Sequence, residues 1–198
     1  MVELPEDCVP NDFLWWGVDL GFVQEGSAGL GDRIDRPGNH FACEAMFPPF
    51  KPDLARKFAT RVHRATREGI RIEIPLLGVH QGYPGAPVVD GDDQTGTALA
   101  LRGLTPRYAA KEGFWLTATE ALTGQRFLHR VQASVAADED GLITLEIEPP
   151  LRAPLADGDT IELARPTIEG TLREPARISL AVDRLVRLGA SLTIEEVA

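Results

Sequence analysis

Residues 138–163 read DEDGLITLEIEPPLRAPLADGDTIEL, and with DGDDQTG at 90–96 they hold the carboxylates most able to do chemistry. Asp90, Asp92 and Asp93 in one turn, with Asp157 and Asp159 in another, could supply oxygen ligands to a calcium ion. Neither run completes the D-x-D-x-D-G loop with a distal Glu that surrounds calcium with six or more oxygens. Asp-Gly pairs also provide the positive φ that tight turns require, so the reading from sequence is ordinary turns. Glu146 and Glu148 alternate with Leu145 and Ile147 and project together from one strand face. A glycosidase needs such a pair, together with an apolar pocket to raise one pKa, and nothing nearby marks one. A solvated or subunit-facing surface is the simpler reading. Pro149 and Pro150 donate no ladder hydrogen bonds and should end the strand.

Other chemistries find less support. His40 and Cys43 make an H-x-x-C half-pair, with Cys8, His63, His80 and His129 scattered elsewhere, whereas structural zinc takes two close pairs. Cys43 falls on an apolar strand face and reads as a core thiol. Ser27, Ser134, Ser179 and Ser191 offer no G-x-S-x-G elbow. The glycine-rich GSAGLGDR lacks a Walker lysine and does not open a helix. The expectation is no catalytic residue, no metal and no cofactor.

The elements that must position these residues are mostly strands. FLWWGVDLGFV (13–23) reads as a first strand, followed by a loop over 24–40. HFACEAMF places Phe41, Cys43, Ala45 and Phe47 on one face. A helix then starts near Pro52, with Asp53 at its positive end and Gly69 closing it. Leu54, Phe58, Val62 and Ala65 share its apolar face; Arg56, Lys57, Arg61, Arg64 and Arg67 make most of the rest cationic. IRIEIPLL alternates, a loop spans 78–96 with one short strand at PVV, and TALALRG, GFWLTATE, RFLHRVQASV, LITLEIE, DTIELAR, RISLAVDRLVRL and SLTIEEV recur at the spacing of a sandwich or barrel. The fold class is therefore α+β, mainly β: a sandwich or barrel with one flanking helix, in a single domain over 1–198.

Composition bounds the partners. The chain of 198 residues carries 30 acidic against 20 basic residues, net −10, which disfavours a grip on nucleic acid. The N-terminus lacks the basic start and apolar run of a signal peptide, and no apolar stretch is long enough to span a bilayer. Two cysteines suit a reducing cytoplasm. The basic helix ridge on an acidic body reads either as a solvated face or as a surface meeting an acidic patch on a second copy, as in head-to-tail rings.

PGNHFACEAMFPPFKPDLARKF, the helix and IRIEIPLL, together with V-x-G-x-x-Q-T-G-T-x-L-x-L-x-G from Val89 to Gly103 and D-G-L-I-T-L-x-I-x-P-P-L-R from Asp140 to Arg152 before D-G-D at Asp157–Asp159, resemble phage tail-tube-like proteins. The likeness is to distal tail proteins of long-tailed phages and gene transfer agents, over roughly residues 37–163. It implies a β-sandwich with a flanking helix, closed as a six-copy ring between the tail tube and the hub or baseplate. The tape-measure protein and DNA would pass through the lumen, and an acidic wall would let DNA slide. The chain would then be a virion protein made in the bacterial host cytoplasm. It implies no catalytic residues. The interface expected on this reading comprises Arg56, Lys57, Arg61, Arg64 and Arg67 on the helix, and Tyr83, Pro84, Val88 and Val89 in the 78–96 loop. The major tail-tube protein is the neighbouring alternative; a calcium-dependent carbohydrate-binding module or small glycosidase is the alternative of another class.

Overall fold

Sixteen strands and one helix form among the described residues, which in this computed structural model are 1–25, 31–34, 38–173 and 190–196. In chain order they are β1 (Val2–Glu3), β2 (Asp12–Val18), β3 (Phe22–Glu25), β4 (Gly31–Ile34), β5 (His40–Phe47), α1 (Pro52–Glu68), β6 (Ile70–Glu73), β7 (Gly85–Val89) and β8 (Gln94–Leu104). There follow β9 (Ala109–Ala110), β10 (Trp115–Thr119), β11 (Arg126–Val131), β12 (Val135–Ala136), β13 (Ile143–Leu155), β14 (Thr160–Glu162), β15 (Thr167–Leu172) and β16 (Ala190–Glu196). The mainly β class with a barrel and a single helix is what the alternation pattern specified.

Two layers carry the structure. A six-stranded sheet runs β1-β6-β15-β16-β5-β2, and a closed barrel runs β10-β11-β13-β8-β7-β14. The barrel fills its own interior, because alternate residues of each strand point inward. Leu99 and Leu101 of β8 stand opposite Leu145 and Ile143 of β13, and all four are buried with Leu116, Val131 and Leu155. Trp115 and Leu128 face the other way and join the second core, which lies on the sheet.

That sheet core is covered at its two ends by different elements. At one end Phe47, Phe50 and Phe58 form a ring cluster, and Val62 and Ala65 complete the apolar stripe of α1. Burying Phe58 contributes roughly 1.5–3 kcal/mol. At the other end Phe41 meets Trp15 and Trp115 edge to face, with centroids 5.7 and 5.1 Å away. The helix ends at Gly69, with φ of 74°, whose N–H reaches Ala65 O at 2.9 Å. Gly170 of β15 is needed for another reason: an added Cβ would come within 2.1 Å of Glu195 O.

Several expectations change in detail. The 13–23 segment divides, because β2 ends at Val18 and β3 pairs instead with β4 inside the expected 24–40 loop. The diproline does not end its strand. The ladder with β8 shifts register between Glu146 and Leu151, so the missing donors fall where the pairing is already irregular, and β13 continues to Leu155. TIEGTL, read as no element, is the strand β15 between β6 and β16; its only long apolar residues are Ile168 and Leu172, too few to show a period. The RISLAVDRLVRL segment lies outside the described residues.

Candidate functional site

The two aspartate turns meet. The Gly91 N–H donates to Asp157 Oδ1 at 2.9 Å, and the Asp157 N–H donates to Asp92 Oδ1 at 2.9 Å, so each turn caps the other. Arg102, on the strand that leaves the first turn, closes the arrangement. Its Nη2 donates to Asp157 Oδ2 at 3.0 Å and its Nη1 to Asp157 Oδ1, to Asp90 Oδ1 at 3.1 Å and to Val89 O at 2.9 Å. The guanidinium, followed by the Gly91 N–H, holds the Asp157 carboxyl down at about 2. Asp90 and Asp157 thus converge on a cation that the chain itself supplies. Asp159 departs from the turn reading: it is buried and accepts the Ala121 and Ala156 N–H groups at 3.0 and 2.9 Å, bracing two loops. Asp93 sits at φ 54° in the turn and Asp90 binds Arg102, while among the described residues no group of three or more His, Cys, Asp or Glu is placed to hold a metal.

A second polar centre lies at the seam between sheet and barrel. Glu196 is fully enclosed, accepting the Phe41 N–H of β5 at 2.9 Å, the Leu128 N–H of β11 at 2.8 Å and Arg152 Nη2 of β13 at 2.8 Å. Burial pushes its carboxyl up, against the pull of Arg152 and the two amides. The Arg152 guanidinium also lies 4.8 Å from the Phe127 ring centre. Nearby on β11, His129 is completely buried and donates from Nδ1 to Pro149 O at 2.8 Å. Desolvation, with Arg152 adding to it, lowers His129 to about 4, so it is neutral at physiological pH. Sequence alternation carried a signal for Glu196, since Leu192, Ile194 and residue 196 share one face of SLTIEEV; its partner across the seam carried none.

His40, the two cysteines and the β13 glutamates serve the fold or its surface. His40 is buried, donating from Nδ1 to Gly38 O at 2.7 Å, with Nε2 3.2 Å from Glu195 Oε1. Cys8 and Cys43 are buried free thiols pushed up to about 11 and about 12 by desolvation, which makes both inert as nucleophiles. Glu146 and Glu148 are exposed on β13, and Glu148 accepts Gln132 Nε2 at 2.8 Å. Gln81, which drew no attention in the sequence, is buried and clips the 78–84 segment to Trp115 through N–H donation at 2.8 Å and acceptance at 2.7 Å.

The expected interface residues divide. On α1, Arg56 pairs with Asp53, Arg61 donates to Glu3 O at 2.7 Å and Arg64 donates to both Glu68 oxygens at 2.8 Å, while Lys57 and Arg67 carry no ion pair among the described residues. Tyr83 stands 83% exposed. Pro84 is buried, Val88 half-buried, and Val89 lies in the barrel core with no exposed surface, so the apolar end of that segment serves the fold instead of a neighbour.

One surface feature is not absorbed by the fold. Among the described residues β2 is the last strand of its sheet and pairs only with β5, and it reads DFLWWGV without a lysine, arginine or proline to guard its edge. Leu14, Trp15 and Trp16 are 52, 40 and 41% exposed. The Phe13 N–H is taken by Asp12 Oδ1 at 2.8 Å, which places it on the outer side of the strand. By alternation the N–H groups of Trp15 and Gly17 point outward too.

No protein-family model and no curated protein matches this chain.

Proposed function

We propose that this chain is a structural subunit that works by assembly: a ring-forming protein of the distal-tail type, joining a long tail's tube to its hub around the channel for DNA. The observation that carries the reading is the edge of β2, a seven-residue, mostly apolar strand whose outward Trp15 and Gly17 N–H groups have no strand partner among the described residues. A neighbouring copy that adds a strand there satisfies the outward N–H and C=O groups and covers Leu14 and Trp16 in the same step. The acidic balance and the resemblance over residues 37–163 point the same way. The partner interactions then fall on β2, exposed Tyr83 and the cations Lys57 and Arg67, which carry no ion pair among the described residues.

Trp16→Lys, combined with Leu14→Lys, places charge on the edge without touching either core. Negative-stain images and native mass of the purified chain should change from rings to monomers, with circular dichroism unchanged. A wild-type chain that stays monomeric at high concentration, alone and with its tube and hub neighbours, would remove the reading. Copy number per particle separates a single terminal ring from a tail tube of many rings. A calcium-binding module gains no support from the aspartate turns, because Arg102 occupies the point where they converge.

A further inference from the structure

A cleft of about 490 Å³ opens between the sheet and the β10–β11 turn, lined by Met1, Arg71, Glu169, Thr123, Gly124, Gln125 and Arg126. Its volume suits a small molecule or an inserted side chain. The two arginines differ in their obligations. Arg71 is neutralised, donating from Nε and Nη2 to Glu169 Oε2 at 2.8 and 2.6 Å and from Nη1 to Glu3 at 3.0 Å. Arg126 has no carboxylate partner among the described residues. Its one hydrogen bond runs from Nη1 to Thr167 Oγ1 at 3.3 Å, and its Nε is buried with no acceptor. The Gln125 side-chain amide beside it is likewise without a protein partner there, whereas the Thr123 hydroxyl is committed to Glu120.

A guanidinium carries five donors in a fixed fork and keeps its charge at any ordinary pH. Leaving its Nε–H buried without an acceptor is unfavourable, and an anion in the cleft that engages the rest of the fork would draw the guanidinium into a better-satisfied position. Arg71 is shared between Glu169 and Glu3, whereas the charge of Arg126 meets no carboxylate among the described residues. We propose that this cleft is an oxyanion-binding site in which Arg126 receives a carboxylate or phosphate group, assisted by the Gln125 amide. The group comes either from a small free anion or from an acidic side chain of a second copy. The site is independent of the β2 edge and stands whether or not rings form there.

The test uses the full chain and inorganic phosphate at constant ionic strength, with the Arg126 Nε–H resonance followed by NMR and the heat by calorimetry. Saturable one-site binding that shifts this resonance, weakened at least tenfold in Arg126→Gln and largely kept in Arg126→Lys, supports a site for a free anion. Arg107→Gln, at an exposed ion pair elsewhere, should bind as wild type. Where a neighbour's carboxylate fills the cleft, phosphate and Arg126→Gln should each lower the native mass, and the assembled chain should show the shifted resonance before phosphate is added. A resonance that stays fixed through the titration, with native mass unchanged by phosphate, overturns the proposal even if Arg126→Gln fails to fold.

Discussion

Asp157 and His129 show how residue environment sets acid sensitivity. Asp157 is depressed from 3.8 to about 2, so its contribution to stability is complete above pH 4 and is lost as pH falls through 2. Asp157→Asn should lower the thermal midpoint at pH 7 and remove the part of the acid transition between pH 4 and 2. His129 is depressed from 6.5 to about 4 by burial, so the unfolded chain binds the extra proton and stability declines as pH drops from 6.5 to 4. At 1.36 kcal/mol per pH unit the ceiling is about 3 kcal/mol. His129→Gln should flatten that slope in urea titrations across pH 4–6.5; an unchanged slope would assign the acid lability elsewhere. Asp157 was visible in the sequence as a candidate ligand, but its partner Arg102, 55 positions away, was not.

At the scale of elements, the Glu196–Arg152 pair fastens β16 and β5 of the sheet to β11 and β13 of the barrel. Removing one partner of a buried pair strands the other charge, so Arg152→Ala should cost about 3–5 kcal/mol by chemical denaturation. Glu196→Gln likewise removes the charge facing Arg152 and sets an NH2 against a backbone N–H donor, so it should also destabilise, read by the same denaturation. Phe58→Ala, which empties the ring cluster under α1, should cost about 3–5 kcal/mol without affecting the barrel's own core. A helix of this amphipathic pattern, with Pro52 first and Gly69 last, was fully legible. β15 was not, since a strand with Thr, Gly and a buried Glu169 depends on neighbours, and on Arg71 in particular, for its place.

For the whole molecule, the two layers share a seam, and among the described residues the apolar edge of β2 is left without a neighbour. The edge mutations Leu14→Lys and Trp16→Lys should separate folding from assembly, because both side chains point away from the two cores. Calcium calorimetry should give a flat trace in wild type and in Asp92→Ala, since Asp90 and Asp157 already hold a guanidinium and Asp92 caps a backbone N–H. A stoichiometric heat that disappears in Asp92→Ala would restore the calcium reading.

The sequence by itself determined the mainly β class, the helix with both its ends, the strand faces of HFACEAMF and LITLEIE, and the acidic balance, because each depends on residues a few positions apart. Only the tertiary structure decided that two aspartate turns clasp Arg102, that Glu196 is buried against Arg152, that Val89 belongs to a barrel core, and that FLWW lies on an open edge. The deciding contacts, Asp157 with Arg102 and Glu196 with Arg152, span 55 and 44 positions, and an edge depends on which strand lacks a neighbour. Local patterns record a segment's own period, whereas a charge's partner and a sheet's edge are fixed only when the chain closes on itself.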